Sequence, residues 1–430
     1  MTDTTELPDG DFVVEGDTEW FRIDNYDQLD PFLMTLVTSD DQWMYVSSSG
    51  ALAAGRHSAE HSLFPYETDD RLHRAGGSTG PFTLIRTGDR LWEPFSAATP
   101  LSVARRSVAK SVAGDQLRFS EHHPELGLTF SYTWAAAGEF GLVRRCEITA
   151  DPDQPPTTVE VLDGLVNILP AGVELVSQQM TSTLVDAYRR SELVAGSGLA
   201  LFTLEALVAD KADPAEALLA TTIWNFGLDD HTVALSENQT RAFRSGSALE
   251  PEHLAVGRKG AYLVSTEITV HPDAPARWGL VADVGQDHLD ISELQHRLSS
   301  PDLVADVEAA IEDSHHSLLE IVAAADGIQH TTDRRATVHH FANMLFNCMR
   351  GGSFTTDHRV EVARVDRFIA SRNHGAHARF GPIAKSLEPV VEITTLRSAV
   401  KADVDLSRLV NEYLPLTFSR RHGDPSRPWN

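Results

Sequence analysis

The stretch LTFSYTW at residues 128–134 alternates strictly between apolar and polar side chains. Successive side chains of an extended strand point to opposite faces, so its leucine, phenylalanine, tyrosine and tryptophan share one face. The stretch therefore predicts a β-strand that packs one face against a hydrophobic core.

Similar short runs, separated by Gly, Asp, Asn and Pro, fill the first two thirds of the chain. They predict further strands at residues 20–23, 32–39, 43–47, 82–86, 91–95, 116–120, 139–148, 157–169 and 261–270. Thr87-Gly88-Asp89 separates two of these runs and predicts the turn of a hairpin. Strands at this density over roughly 290 residues indicate a large two-sheet sandwich.

The apolar spacing becomes helical after Pro301, which together with Asp302 marks a helix start. The first predicted helix carries Leu303, Val304, Val307, Ile311, Leu318 and Val322. A second covers residues 332–349 and ends at Gly351-Gly352, because glycine is a common helix stop. A third contains Val362, Val365 and Ile369, and a short fourth covers residues 406–413. We place a domain boundary at residues 290–300.

The chain has 430 residues, with 36 Lys and Arg against 62 Asp and Glu, so its formal net charge is −26. A composition of 42% hydrophobic and 23% charged residues excludes a disordered or fibrous protein. The charge argues against a nucleic acid or an anionic membrane as partner, but it is compatible with a neutral sugar. The length predicts two or three domains with a core that needs no disulfide or metal.

Cys146 and Cys348 lie in apolar surroundings, which favours a reduced, cytoplasmic compartment. The N-terminal residues MTDTTELPDGDF lack the basic and apolar regions of a signal peptide. The longest apolar runs are shorter than the ~18–20 residues that a membrane span requires. We predict a cytoplasmic protein with no membrane partner.

His57, Glu60 and His61 fit the His-x-x-Glu-His pattern of zinc peptidases. On a helix the two histidines would share a face and could hold one metal ion. Nearby glycines and Phe64-Pro65 instead predict a loop, in which the histidines need not converge. We therefore expect an exposed or substrate-facing loop and no metal site.

Other patterns carry weaker signals. The histidine pairs at 122–123, 315–316 and 339–340 consist of neighbours that point to different sides, so they predict surface or capping roles. Residues 75–80, AGGSTG, lack the Gly-Lys-Ser/Thr of a phosphate-binding loop and predict a flexible loop. We predict no cofactor.

Residues 64–71, FPYETDDR, place Tyr66 beside Asp69, Asp70 and an arginine. Aromatic faces stack on the C–H surfaces of pyranoses, and carboxylates and guanidinium groups bind vicinal hydroxyls. The stretch predicts either a sugar contact or a turn with an N-capping aspartate.

The last residues of the chain hold a dense polar cluster. Residues 420–430 read RRHGDPSRPWN and contain three arginines and a histidine, which could bind phosphate or carboxylate through paired hydrogen bonds. A structural network at a domain junction is an equal alternative.

Several of these stretches resemble one family. Residues 43–56 and 62–70, VLDGLVNILPAGV at 161–173, NMLFNCMRGG at 343–352 and the terminal SRRHGDPSRPWN are similar to cellobiose-phosphorylase-like proteins. That family belongs to the glycoside hydrolase family 94 and family 36 glycosyltransferase-like group. The terminal match is the most specific.

The resemblance implies a β-supersandwich, a helical linker and an (α/α)6 barrel that carries the active site. It implies domains at 1–295, 296–418 and 419–430, the last being the start of a barrel that this sequence does not contain. In the family one carboxylic acid protonates the glycosidic oxygen while phosphate attacks with inversion. We nominate no catalytic residue in this chain.

We predict sugar or phosphate contacts at ten positions: Arg56, Tyr66, Asp69, Asp70, Arg350, Arg421, His422, Asp424, Arg427 and Trp429. The predicted function is the N-terminal portion of an enzyme that cleaves β-glucosides or related oligosaccharides, with inorganic phosphate as co-substrate. A hydrolase that uses water and a second carboxylate is one alternative. A non-catalytic sugar-binding or dimerisation module is another. The predicted partners are an oligosaccharide and a second copy of the chain.

Overall fold

The computed structural model describes residues 7–99, 104–206, 218–325, 327–349, 352–354, 359–413 and 416–418. It divides the chain into two compact units, Met1–Ser317 and Leu318–Asn430. The predicted limits 1–295, 296–418 and 419–430 stay predictions.

The first unit consists mainly of strands. Its first half contains β1 (Asp9–Glu15), β2 (Thr18–Asp24), β3 (Leu33–Leu36), β4 (Gln42–Ser47), β5 (Leu52–Arg56), β6 (Gly80–Thr87), β7 (Arg90–Trp92), β8 (Arg105–Ser111), β9 (Leu117–His123) and β10 (Leu128–Ala136). Its second half contains β11 (Leu142–Ala150), β12 (Thr157–Ile168), β13 (Arg189–Leu193), β14 (Ala200–Leu204), β15 (Ala220–Phe226), β16 (Thr232–Ala234), β17 (Leu254–Val256), β18 (Gly260–Val270) and β19 (Ala276–Gln286).

These strands form three antiparallel sheets. The large sheet has eleven strands in the order β1-β2-β8-β9-β10-β11-β19-β15-β14-β13-β17. A five-stranded sheet has the order β16-β18-β12-β6-β7, and a small sheet consists of β3, β4 and β5. The alternating stretch at 128–134 lies in β10, near the middle of the large sheet, as its pattern predicts.

One hydrophobic core joins the three sheets. Phe119, Phe130 and Trp278 of the large sheet, Val161 of the five-stranded sheet and Met44 of the small sheet belong to the same buried cluster. Burying such side chains contributes about 1.5–3 kcal/mol each to folding. The predicted two-sheet sandwich is therefore confirmed in outline, with a third small sheet that the sequence did not indicate.

A buried ion pair also spans the sheets. Arg144 of β11 binds Asp163 of β12 through Nη1 at 2.8 Å from Oδ1 and 2.9 Å from Oδ2. Both side chains are fully buried. Thr83 and Trp278 donate further hydrogen bonds to the Asp163 carboxylate, so each of its oxygens has partners.

Helices connect the strands and dominate the second unit. They are α1 (Asp69–Arg74), α2 (Leu175–Met180), α3 (Ser182–Tyr188), α4 (Asn238–Arg244), α5 (His288–Arg297), α6 (Leu303–Ala324), α7 (Arg334–Met349), α8 (Val362–Arg372), α9 (His374–Ser386), α10 (Ile393–Val400) and α11 (Val404–Glu412). The short pairs β20 (Gly352–Phe354) with β23 (Leu416–Phe418), and β21 (Arg359–Glu361) with β22 (Val390–Glu392), complete the described elements. Val365, Phe380, Leu396 and Leu406 belong to the core of the second unit.

The predicted order of strands followed by helices is confirmed, and α6, α7, α8 and α11 match the four predicted helices. The second helix begins at Arg334 rather than 332, because the Asp333 carboxylate accepts hydrogen bonds from the backbone N–H groups of Arg335 and Ala336. Gly352 opens β20, while Gly351 lies outside the described residues.

Three predicted strands need correction. The run at 32–39 is a strand only over Leu33–Leu36. The strand placed at 139–148 begins only at Leu142, because Gly138–Phe140 form a 3-10 turn and Gly141 has φ 109°. The run at 91–95 ends as a strand at Trp92. The predicted hairpin is confirmed, but Thr87 pairs with Arg90, so the turn consists of Gly88 and Asp89 alone.

None of the described helices combines the length and the apolar character needed to cross a membrane. The cytoplasmic location stays a prediction. The (α/α)6 barrel also stays a prediction.

Candidate functional site

An open cavity of about 900 Å³ lies in the first unit, and we call it the main cavity. Its walls come from residues around 26–31, 48–50, 73–77, 81–83 and 93–99, together with Arg106 and Tyr132. Ligand pockets of this size hold small molecules of several rings.

The turn between β4 and β5 forms one wall. Its backbone closes through hydrogen bonds from Ser47 N to Ala51 O and from Gly50 N to Ser47 O, both 2.8 Å long. Gly50 has φ 84°, a conformation that glycine adopts without strain. A Cβ there would lie 3.1 Å from the Tyr132 hydroxyl, so glycine also leaves room for that ring.

Helix α1 carries His73 and Arg74 into the same wall. The glycine-rich loop follows directly, and a Cβ on Gly76 would lie 3.0 Å from the Ser49 carbonyl oxygen. The loop therefore packs against the β4–β5 turn, and Gly76 is required for this close approach.

A chain of short hydrogen bonds links the turn to α1. The Ser49 hydroxyl donates to the Ser47 hydroxyl oxygen at 3.0 Å, and the Ser49 N–H donates to the same oxygen at 3.1 Å. Ser47 Oγ lies 2.7 Å from His73 Nδ1. Ser47 is fully buried, whereas Ser49 and His73 are half-buried and line the cavity.

Residues 93–99 form the opposite wall, which we call the strap. Phe95 has φ 63°, an uncommon and costly conformation for a residue with a side chain. Its N–H donates to Glu121 Oε2 at 2.6 Å. Glu121 is fully buried in β9 and also accepts hydrogen bonds from Trp92 Nε1 and Arg106 Nε, both at 2.7 Å. This carboxylate fixes the strap.

The charges of the main cavity are largely neutralised within the protein. Arg106 pairs with Glu121 and Asp27, and Arg244 donates to Glu93 at 2.8 Å. Burial lowers the pKa of Arg106, but the adjacent Glu121 carboxylate outweighs it and holds the pKa above its ordinary value. Arg74 is exposed and makes no ion pair within the described residues.

Four aromatic rings complete the lining. Phe82 and Phe95 are half-buried, while Tyr26 and Tyr132 are almost fully buried. Burial raises the pKa of both tyrosine hydroxyls, so they stay protonated. The cavity thus combines ring faces with hydroxyl, imidazole and guanidinium groups, the set of partners that a polyhydroxylated ring requires.

A second cavity of about 400 Å³ contains the predicted residue Arg56. Arg56 Nε lies 2.6 Å from Asp283 Oδ1, Nη1 lies 2.6 Å from Asp41 Oδ1, and Nη2 donates to Gly138 O at 2.7 Å. Burial raises the pKa of Asp283 although the Arg56 hydrogen bond opposes this effect. Arg56 thus uses most of its donors to join β5, β19 and the turn at Gly138. Its contact with sugar or phosphate stays a prediction.

The His-x-x-Glu-His stretch borders this second cavity. Ala59–His61 form a 3-10 turn and His57 has φ 54°, so the predicted loop is confirmed. His57 Nε2 pairs with Asp41 Oδ2 at 2.8 Å, and the centres of the His57 and His61 rings are 6.0 Å apart. Within the described ranges, no three His, Cys, Asp or Glu side chains are arranged to hold a metal ion.

Tyr66, Asp69 and Asp70 do not line the main cavity. Tyr66 packs its ring against Trp43 with centres 5.4 Å apart. Asp69 and Asp70 open α1, and the Thr68 hydroxyl donates to Asp70 at 2.6 Å, which lowers the Asp70 pKa. The predicted N-capping aspartate is wrong, because the helix begins at Asp69 after Thr68 and neither aspartate occupies the capping position. The role of these residues in sugar binding stays a prediction.

The other six predicted site residues lie outside the described residues: Arg350, Arg421, His422, Asp424, Arg427 and Trp429. Their roles also stay predictions.

Sequence reasoning missed Ser49, His73, Phe95 and Glu121. One signal was present, because Glu121 follows Leu117 and Phe119 at the buried positions of an alternating strand. A charged residue in such a position predicts a buried polar network. Ser49 and His73 gave no such signal, since the fold alone brings them together.

Comparisons with known proteins find partial structural likeness only. No protein-family model and no curated protein matches the chain. The "Putative kojibiose phosphorylase from human microbiome" matches with a TM-score of 0.36 and 10% identity over 63% of this chain and 31% of that one. Heparan sulfate lyase HepC from Pedobacter heparinus matches with a TM-score of 0.29 and 8% identity, over 59% of this chain and 35% of that one.

Heparinase III matches with a TM-score of 0.29 and 9% identity, over 61% of this chain and 36% of that one. The matched region spans about a third of the length of each of these enzymes, which are named for action on carbohydrates. Scores of this size define neither a family nor an activity. The resemblance to cellobiose-phosphorylase-like proteins stays a prediction.

Proposed function

We propose that this chain belongs to a carbohydrate-active protein and that its main cavity binds an oligosaccharide. The observation that carries the proposal is the lining of that cavity. Half-buried Phe82 and Phe95 contribute aromatic rings, and Ser49, His73 and Arg74 contribute polar groups, to the lining of one open space of about 900 Å³. Stacking together with hydrogen bonding to hydroxyls is the chemistry that recognises a pyranose.

The ion pairs around the cavity support a neutral ligand. Arg106 and Glu93 are already paired within the protein, so a neutral sugar need not compensate their charges. Glu121 accepts a hydrogen bond from the Phe95 N–H of the strap, and Arg106, which pairs with Glu121, donates to Ser96 O at 2.7 Å. These contacts hold the strap in place, which reduces the ordering cost of binding.

Titration calorimetry of the purified protein tests the binding proposal. The panel contains the β-linked cellobiose, the α-linked kojibiose and longer neutral gluco-oligosaccharides. We expect saturable binding of at least one member, and we expect Phe82→Ala to weaken it about tenfold or more.

Phe226→Ala is the matched control, because Phe226 is a half-buried phenylalanine of the same sandwich that lines a different cavity. Thermal unfolding verifies that both variants fold. Absence of binding across the panel, or equal loss in both folded variants, would contradict the proposal.

We further propose that the full-length protein, with the (α/α)6 barrel that the resemblance to cellobiose-phosphorylase-like proteins implies, cleaves a glycosidic bond with inversion. Inorganic phosphate is the proposed attacking group and water the alternative. Incubation of the full-length protein with β-glucosides, with and without phosphate, separates the two. Phosphate-dependent sugar 1-phosphate supports the phosphorylase, free sugar supports the hydrolase, and no product contradicts both.

A further inference from the structure

The hydrogen-bond series from Ser49 through Ser47 to His73 fixes the positions of three protons. Ser47 Oγ has two lone pairs, and two donors of Ser49 approach it, the N–H at 3.1 Å and the hydroxyl at 3.0 Å. With both lone pairs engaged, the Ser47 hydroxyl must donate its own proton. Its acceptor is His73 Nδ1 at 2.7 Å.

The direction of this chain determines the tautomer of His73. Because Nδ1 accepts a hydrogen bond, the neutral imidazole carries its proton on Nε2. Nε2 lies on the side of the ring away from Ser47, and no partner for it exists within the described residues. His73 therefore offers an N–H donor.

The direction of this hydrogen-bond series also determines whether Ser49 can donate or accept a further hydrogen bond. The Ser49 hydroxyl donates its proton to Ser47, so the Ser49 oxygen can act as an acceptor, and Ser49 is part of the cavity lining. Ser49 thus acts as an acceptor and His73 as a donor in one wall. The buried Ser47 couples the two, and Gly76 packs directly against Ser49.

We propose that Ser49 and His73, coupled through Ser47, recognise two different hydroxyl groups of the bound saccharide. One hydroxyl donates to Ser49 Oγ, and the other accepts from His73 Nε2–H. The inference rests on the proposed sugar binding and identifies the residues that recognise the ligand. A sugar that lacks the hydroxyl at Ser49, or carries an O-methyl group in its place, is expected to bind more weakly.

Two measurements test the inference. The first is the tautomer of His73 in the unliganded protein, read from the ¹⁵N shifts of its ring at a pH where the imidazole is neutral. We expect the Nε2–H tautomer in the wild type and loss of this preference in Ser47→Ala. A proton on Nδ1 in the wild type would overturn the inference whether or not a sugar binds.

The second measurement compares the best-binding sugar with its monodeoxy analogues. We expect the wild type to bind one analogue about tenfold more weakly than the parent sugar. Ser49→Ala and Ser47→Ala should bind that analogue and the parent almost equally. Ser78→Ala is the control, because the exposed Ser78 hydroxyl only donates to Ala75 O of the adjacent loop.

The outcomes separate this inference from the proposed function. If sugar binds and Ser49→Ala still discriminates against the same analogue, the inference is wrong and the sugar-binding function stands. If the wild type binds no sugar, the proposed function fails and the recognition step fails with it.

Discussion

Asp163 joins the two larger sheets through a buried carboxylate. Its carboxylate accepts hydrogen bonds from Arg144, Thr83 and Trp278, and all the atoms involved are buried. The Arg144 guanidinium also lies over the ring of Tyr132, 4.5 Å from its centre. Removing one partner of such a buried charge lowers the stability of the fold strongly.

Asp163→Asn should destabilise the protein by about 3–5 kcal/mol, because it leaves the buried Arg144 charge uncompensated. Urea unfolding measures the change. Glu147→Gln is the control, since the Glu147–Arg277 pair is solvent-exposed and should contribute less than about 1 kcal/mol. Equal effects of the two substitutions would contradict the assignment.

His315 of α6 carries a pH-sensitive contact. Its Nδ1 lies 2.6 Å from Asp115 Oδ2. The Asp115 hydrogen bond raises the pKa of His315 although burial opposes it. Burial raises the Asp115 pKa, but hydrogen bonds from His315 and Ser111 outweigh it and lower that pKa.

The sign of the pH effect follows from these directions. The raised pKa of His315 adds stability that is fully present below about pH 6.5. This contribution is lost as the pH rises through the folded-state pKa. The lowered pKa of Asp115 adds stability that is fully present above about pH 3.9. This contribution is lost as the pH falls through the folded-state pKa. We expect stability to fall as the pH rises from about 6.5 through the raised pKa of His315, and we expect this fall to be absent in His315→Gln. Urea unfolding at several pH values checks this, and an unchanged profile in the variant would refute it.

At the scale of elements, β12 shows how tightly the five-stranded sheet is packed. Gly164 pairs with Leu263 of β18 and Phe82 of β6, and a Cβ there would collide with the carbonyl oxygen of Tyr262. Only a residue without a side chain fits between the two neighbouring strands.

Gly164→Ala should therefore destabilise the protein by about 3 kcal/mol, or prevent folding. Gly381→Ala is the matched control: a Cβ there meets nothing within 4 Å, and the residue lies inside α9. Alanine should stabilise that helix by about 0.5–1 kcal/mol. Thermal unfolding compares the two, and a tolerated Gly164→Ala would contradict the packing described for β12.

The elements differ in how well the sequence predicts them. β10 alternates clearly because one of its faces is buried, and α8 has a clear helical stripe in Val362, Val365 and Ile369. The sequence did not indicate α9, which contains Gly375, Gly381 and Pro382, residues that weaken any helical signal. Tertiary packing around Phe380, which is fully buried, stabilises that helix instead.

The candidate site was less predictable than the fold for a physical reason. The wall of the main cavity combines a turn at 48–50, a helix at 73–74 and a strap at 93–99 that are distant in sequence. A local sequence pattern does not show which segments, distant in sequence, meet in the fold. The sequence at 64–71 predicts a sugar contact or a turn, and the helix that begins there carries His73 and Arg74 into the cavity lining.

At the scale of the whole molecule, the net charge of −26 predicts which carbohydrates are excluded. A sulfated polysaccharide such as heparan sulfate should be repelled, whereas a neutral oligosaccharide should bind with little dependence on salt. Calorimetry with both ligands at two salt concentrations measures this. Tight, strongly salt-dependent binding of the sulfated chain would contradict the expectation.

A crystal structure of the protein with a bound neutral oligosaccharide tests the central claim most directly. We predict that the sugar lies in the main cavity, with its ring against Phe82 or Phe95, one hydroxyl within hydrogen-bond distance of Ser49 and another within hydrogen-bond distance of His73. A sugar bound only elsewhere, for example beside Arg56 in the second cavity, would contradict the account.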